Sequence, residues 1–243
     1  MRVGWRAAAW AAAIAIALAA LFGARPGGDA AAQRPSPVPS GEEGQYGNPP
    51  DLDTYIGQLS SPARDAWQKP DQVVAALGLK RGQTACDIGS GPGYFTLRLA
   101  RAVGPKGFVF AVDVEARMLQ ALRDRLDKAG VRNVAPVLAV ADDPLLPPSA
   151  CDLVLVVDTY HHFPDRTAYL ERLRRALKPG GEIVNIDYHR KPTPIGPPLD
   201  HRVARETFLE EARAAGLALV REPGFLPYQY FVVLRAAKLA RKG

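Results

Sequence analysis

Four aspartates recur along the middle of the chain where apolar runs give way: Asp87, Asp113, Asp142 and Asp158. Asp87 opens the stretch Asp87-Ile-Gly89-Ser90-Gly91-Pro-Gly93, three glycines at alternate positions leading into an apolar helical pattern. Glycines let a backbone turn sharply and lie close against a ligand, and the free amides of a helix start favour a negative group or a carboxylate. Asp113 stands twenty residues after Gly93, with Val114 beside it. A carboxylate there can accept both hydroxyls of a ribose. Asp142 is placed to reach an adenine amino group. Asp158 opens Asp158-Thr-Tyr160-His161-His162-Phe163, and a histidine titrates close enough to neutrality to take a proton from a phenol or carbon acid. Each aspartate alone reads equally as a solvated loop residue. Four of them at the ends of successive apolar runs read as one nucleoside-binding edge.

Such an edge needs parallel strands to present it. Thr84–Ile88, Phe108–Val112, Val134–Val140, Asp152–Val157 and Glu182–Asp187 are apolar strand segments, the fourth nearly all apolar, as a strand covered on both faces should be. Between them lie helical patterns at Tyr94–Val103, Ala116–Ala129 (closed by Gly130) and Arg166–Leu177 (ended by Pro179-Gly180-Gly181), with Arg205–Ala215 after the last strand. Ser61-Pro62 and Pro70 start two more helices upstream. Beyond Gly216, Leu217–Arg221 and Gln229–Arg235 are apolar segments around Pro223, Gly224 and Pro227, a hairpin pattern. The expected fold is α/β, doubly wound: a mostly parallel seven-stranded sheet with helices on both faces and a C-terminal antiparallel hairpin.

The formal net charge is +6, but Arg2, Arg6 and Arg25 supply part of it before residue 32, and no basic run is interleaved with aromatics. Nucleic acid is therefore not an expected partner. Arg2 and Arg6 precede an apolar run from Ala7 to Phe22, followed by Ala30-Ala31-Ala32. Basic, apolar and then small residues are the layout of a secretory signal peptide over residues 1–32, with an uncleaved membrane anchor through residues 7–22 as the alternative. The expected location is outside the cytosol, periplasmic or secreted. Residues 33–50 read as a Pro/Gly-rich linker and 51–243 as the folded domain. Cys86 and Cys151 are the only cysteines, each beside an apolar strand. Each reads as an inert buried thiol; a disulfide is the alternative if their strands are neighbours and the compartment is oxidising.

The segments Cys86–Phe95, Val112-Asp-Val114, Ala141-Asp142, Asp152–Val157 and Leu177-Lys-Pro-Gly-Gly-Glu182 resemble the successive motifs of class I S-adenosylmethionine-dependent methyltransferases, over roughly residues 70–235. The resemblance implies S-adenosylmethionine as cofactor. Its methionine end would lie on the glycine loop and its ribose on the acid after the second strand. The implied cofactor set is Asp87, Gly89, Ser90, Gly91, Gly93, Asp113, Val114, Asp142 and Asp158. It also implies methyl transfer to an acceptor, taken as a small molecule, with catalysis coming largely from in-line positioning. His161 and His162 are the candidate bases. Similar loops in quinone- and sterol-type methyltransferases carry a histidine, which implies a loop-ordering role for at least one of them. An S-adenosylmethionine-binding module without catalysis is the alternative. A nicotinamide oxidoreductase fits less well, because its G-x-G-x-x-G spacing differs from Gly89, Gly91, Gly93.

Asp158 and Asp187 could hold a divalent metal, as in catechol-type relatives, but that subfamily carries Asp-Asn where this chain has Asp187-Tyr188, so no metal is expected. Tyr55 and Trp67 precede the first strand, where N-terminal segments of such enzymes often cover the cofactor; plain packing explains them equally well. The proline-rich stretch 188–200 has the length of a substrate lid, and His189, Arg190, Lys191 and His201 there could meet an acidic or polar acceptor.

Overall fold

A computed structural model describes residues 48–237. The expected signal segment, residues 1–32, and most of the expected linker lie outside the described residues. Seven strands form one sheet: β1 (Thr84–Ile88), β2 (Phe108–Asp113), β3 (Val134–Leu138), β4 (Cys151–Val157), β5 (Leu177–Tyr188), β6 (Leu217–Arg221) and β7 (Gln229–Ala236). Their order is β3-β2-β1-β4-β5-β7-β6. The first five strands run parallel, and β7 enters antiparallel between β5 and β6. The strand order reverses beside β1, between β2 and β4. Open α/β sheets bind ligands at such a switch point, outside the carboxyl ends of the strands.

Two layers of core follow from alternation along these strands. Cys86, Ile88, Val154 and Val156 face one side, with Tyr160, Leu170, Leu173 and Phe208. Ala85, Leu153 and Leu155 face the other, with Val73, Leu77, Leu99 and Val103. The helices supply these residues at helical spacing: α3 (Pro70–Leu77) and α4 (Thr96–Val103) cover one face, α6 (Arg166–Ala176) and α7 (Arg205–Ala214) the other. In α5 (Ala116–Ala129) the spacing is clearest. Met118, Leu119, Leu122 and Leu126 are buried, Glu115 caps the start through Arg117 N, and Gly130 ends it in the left-handed region. Each large apolar side chain buried this way stabilises by about 1.5–3 kcal/mol before chain entropy is counted.

Most element bounds expected from the sequence agree to within a residue or two. Three departures have physical reasons. The third strand stops at Leu138, because Val140 turns to pair with Asp143 in a tight bridge. The fifth begins at Leu177 and runs through Pro179-Gly180-Gly181, which forms an irregular stretch of strand against Cys151 and Leu153 instead of a stop. An unforeseen helix, α1 (Leu52–Ser60), is capped by Asp51 accepting from Thr54 N, and α2 (Asp65–Gln68) follows a short 3₁₀ turn.

Cys86 of β1 and Cys151 of β4 are disulfide-bonded, with Cα atoms 6.1 Å apart. The inert-thiol reading is corrected: neighbouring strands bring two sulfurs together that lie 65 residues apart in sequence.

Candidate active site

The glycine loop joins β1 to α4, and its three glycines take φ of +67° (Gly89), +52° (Gly91) and +87° (Gly93). Residues with a Cβ reach that region only at a cost of about 1–2 kcal/mol. Two of the three are also crowded. A Cβ on Gly89 would lie 2.2 Å from Thr159 Oγ1, in the turn after β4, and one on Gly93 would lie 2.4 Å from Leu122 Cδ1 of α5. The loop is therefore clamped between the β4 turn and α5. Gly89 N and Ser90 N both donate to Val112 O, at 2.9 and 3.0 Å, which ties the loop to the end of β2.

Asp113 ends β2 against this loop. One carboxylate oxygen accepts from Gly91 N at 2.7 Å and the other from Glu115 N at 2.9 Å. Each keeps a second lone pair, so both can still accept a hydroxyl. Burial raises its pKa. Val114, beside it, is half-buried and packs against the core. Ser90 Oγ and Trp67 Nε1 are buried polar atoms without a hydrogen-bond partner. A buried unpaired donor costs about 1–3 kcal/mol, so Ser90 Oγ, on the loop itself, marks a place where a polar ligand atom fits.

Asp87 lies beneath the loop. It is buried, accepts from Thr96 Oγ1 at 2.6 Å, and burial pushes its pKa up to about 7 against the opposing pull of that bond. Its carboxylate is turned to α4, where it sets the loop from behind. Asp142 stands apart: it is exposed on the loop after β3, 3.7 Å from Arg172 of α6.

Asp158 connects the loop region to the N-terminal helices. Its backbone is left-handed, with φ of +51°, and its amide donates to Ile186 O. The carboxylate accepts from Gln229 Nε2 and lies 3.7 Å from Arg64. Burial, and next the charge of Asp187, push its pKa up to about 7. Gln229 in turn accepts from Gln68 Nε2 at 2.8 Å. Arg64 lies 4.3 Å over the Tyr94 ring and 5.7 Å over Trp67. Tyr55 of α1 feels the charges of Arg64, Asp158 and Asp113, and Leu59 comes within 3.6 Å of where a Cβ on Gly91 would stand. So α1 and α2 cover the glycine loop, as expected of the segment holding Tyr55 and Trp67. Arg64, Gln68 and Gln229 carry no motif, and sequence reasoning missed all three.

The two histidines after β4 have different surroundings. His161 Nδ1 is 3.0 Å from Asp187 Oδ2, and both side chains are almost fully buried, at 5% and 0% exposed. A carboxylate can only accept, which puts the proton on Nδ1 and leaves Nε2 as the basic nitrogen. Burial opposes charge on His161, but the charge and hydrogen bond of Asp187 outweigh it and raise the pKa. His162, exposed at the surface, lies tilted beside His161 with ring centroids 4.2 Å apart; desolvation on its packed side, with the charge of His161 second, lowers its pKa. The preceding Tyr160 is locked in the core, its hydroxyl donating to Glu211, which also holds Arg166 through two nitrogens.

His161 and His162 line a cavity of about 660 Å³, whose walls include Ala141 after β3, Arg166 of α6, and Arg190, His201 and Arg202 from the loop between β5 and α7. Such a volume suits a small molecule. Among the described residues no cluster of three or more His, Cys, Asp or Glu is arranged to hold a metal ion, and no helix is long and apolar enough to cross a membrane.

A family model described as a methyltransferase domain matches residues 85–181, from β1 into β5. The ubiquinone/menaquinone biosynthesis C-methyltransferase of Vibrio vulnificus is 32% identical over 128 residues, 52% of this chain and 48% of that one. The demethylmenaquinone methyltransferase of Anoxybacillus flavithermus is 30% identical over 131 residues, 54% of each chain. The chain spans about half the length of the curated relatives it matches. Among solved structures, an S-adenosylmethionine-dependent methyltransferase from Aquifex aeolicus superposes with a TM-score of 0.72 at 27% identity, covering 76% of this chain and 98% of that one. A [4+2]-cyclase shares the fold alone, with a TM-score of 0.61 at 17% identity over 73% of this chain and 84% of the other.

Proposed function

We infer that this chain, which belongs to the class I S-adenosylmethionine-dependent methyltransferase family, transfers a methyl group to a small-molecule acceptor held in the cavity beside His161. S-adenosylmethionine, the family's cofactor, supplies an electrophilic methyl on a sulfonium when bound. The observation that carries the reading is the meeting of the left-handed glycine loop with Asp113, where Ser90 Oγ, on the loop itself, is a buried donor without a partner. These residues would hold the nucleoside and methionine parts, with Tyr55 and Trp67 covering them.

The rest of the work falls to residues after β4 and β5. Asp187 orients the His161 ring and keeps Nδ1 protonated, so Nε2 can take the proton that a phenol or carbon acid loses as it attacks. The Vibrio relative is named a C-methyltransferase, an activity in which such a proton must leave. His162, neutral at pH 7 and without a carboxylate partner, packs His161 in place. Arg190, Asp200 and His201 of the loop after β5 line the cavity, and Arg202 ties that loop together through its carbonyls. Asp142, exposed and near Arg172, is assigned to the adenine amino group on its position after β3.

We infer, separately, that the domain works outside the cytosol. The Cys86–Cys151 disulfide supports export, since such bonds persist in oxidising compartments, and residues 1–32 have the composition of an export signal.

The test is turnover. The purified chain, given S-adenosylmethionine with a tritiated methyl and a panel of phenols, quinols and aromatic acids, should release S-adenosylhomocysteine and place label on at least one acceptor. Tight cofactor binding with no labelled acceptor from any class would favour a binding module instead. Binding of NADH with none of S-adenosylmethionine would overturn the reading.

A further inference from the structure

The cavity beside His161 has an unusual charge balance. Arg166, Arg190 and Arg202 line it against one carboxylate, Asp200. Arg166 is neutralised by Glu211, which it grips through Nε and Nη2. Arg202 is not. Its side chain is 5% exposed and donates to four backbone carbonyls, those of Pro197 (2.7 Å), His189 (3.1 Å), Lys191 (2.8 Å) and Ile195 (3.3 Å), while its guanidinium lies 5.0 Å over the Tyr188 ring. Among the described residues it is held by carbonyls, with no carboxylate in ion-pair range. Carbonyl dipoles satisfy its N–H groups but leave its full positive charge in a poorly screened place. A buried cation without a counter-ion is costly, and it sustains a positive potential at the cavity wall. Arg190 adds a second cation at the mouth, where its side chain is exposed. Asp187, the partner of His161, is fully buried and does not line the cavity.

We propose that the cavity selects an anionic acceptor: a small molecule that carries an oxyanion, carboxylate or phosphate, directed at Arg190 and Arg202, and that presents its methyl-accepting atom to His161. This rests on the methyltransferase reading and names the substrate class for it. Arg190 can offer an oxyanion a pair of N–H donors, whereas Arg202, with four of its N–H groups given to carbonyls, acts on it through charge. With Arg202 fixed by four carbonyls, the loop from Tyr188 to His201 is held around a charge that an anionic ligand would complete.

The experiment uses the full chain saturated with S-adenosylhomocysteine, so that no transfer occurs. Benzoate, phenyl phosphate and neutral benzamide serve as probes, with dissociation constants read from ligand-detected NMR titrations. Benzoate or phenyl phosphate should bind about tenfold or more tightly than benzamide. Arg190→Gln, at an exposed position that leaves the core intact, should weaken the preferred anion about fivefold, the size expected of one partly screened charge. Asp200→Asn should tighten it about threefold. S-adenosylhomocysteine affinity should stay within twofold in both variants. The better of the two anions identifies which oxyanion the wall suits. Equal binding of benzamide and both anions, no binding of either anion at 20 mM (about the weakest range in which a single charge contact is read), or indifference to Arg190→Gln with the cofactor product still bound would overturn the proposal alone. Failure to bind S-adenosylhomocysteine at all would overturn the methyltransferase reading and, with it, this one.

Discussion

The β1–β2 edge and the β4–β5 edge of the same sheet are built on opposite plans. The first centres on one continuous loop of the sequence. Asp87 to Gly93 form one loop, and Asp113 reaches it through a single amide, Gly91 N. The second is assembled from residues far apart: His161 pairs with Asp187 across 26 positions, Tyr160 with Glu211 across 51, and Asp158 with Gln229 across 71. A cofactor site shared by many methyltransferases can be written as a local motif. A site for one acceptor is written in long-range pairs.

That difference governs what breaks each edge. The largest effect should come from the acceptor edge. His161→Ala is expected to lower kcat about 10²–10⁴-fold, the usual range for loss of a positioned base, with cofactor affinity within twofold of the parent. Equal loss of cofactor affinity would mean that the two edges are one site. Asp187→Asn, which keeps shape but removes the orienting charge, should lower kcat less and shift the pH profile. Next is the cofactor edge. Gly89→Ala places a methyl 2.2 Å from Thr159 Oγ1 in a backbone region that disfavours it. About a 10- to 100-fold loss of S-adenosylmethionine affinity is expected, measured by calorimetry. Thr159→Gly in the same chain should recover part of it, because Thr159 is what the new methyl meets.

The disulfide joins the two edges, and breaking it should loosen both. Closing 65 residues constrains the unfolded chain by about 4 kcal/mol. A reductant, or Cys151→Ala, should therefore lower Tm by roughly 10 °C, visible in a thermal melt. An unchanged melt would mean that the bond contributes nothing to the sheet.

The smallest effect is on pH. His161 must be deprotonated to accept a proton, and Asp187 raises its pKa above the ordinary histidine value. Turnover should then fall as pH is lowered through a value above 6.5, while the His161→Ala variant shows no such limb. Stability runs the other way. A raised folded pKa means that the contribution of His161 is full below the unfolded pKa and is lost as pH rises through the folded one.

The cofactor edge was almost entirely legible in the sequence, because glycine spacing and strand ends are local signals. Seven strands, their doubly wound order and the closing hairpin followed from the alternation of apolar runs with helical patterns. Even there, the carboxylate of Asp87 is turned away to Thr96, which a motif does not reveal. The acceptor edge was legible as a pair of candidate histidines and a proline-rich lid. Which histidine holds a carboxylate was not, since that depends on β5 lying beside β4 in a register that brings Asp187 to His161. Arg64, Gln68, Gln229 and Arg202 were invisible for the same reason: each acts through a partner on another element. Asp142 shows the converse, a good motif position whose side chain is exposed and whose nearest partner is Arg172.

The proposed cofactor site lies on the β1–β2 edge, held by Asp113, and is independent of His161. Isothermal titration of S-adenosylmethionine into the full chain, Asp113→Ala and His161→Ala tests it directly. One site per chain is expected, weakened about 100-fold by Asp113→Ala, as loss of two charge-assisted hydrogen bonds implies, and unchanged within twofold by His161→Ala. No binding to the parent chain, or binding indifferent to Asp113→Ala, would contradict the account.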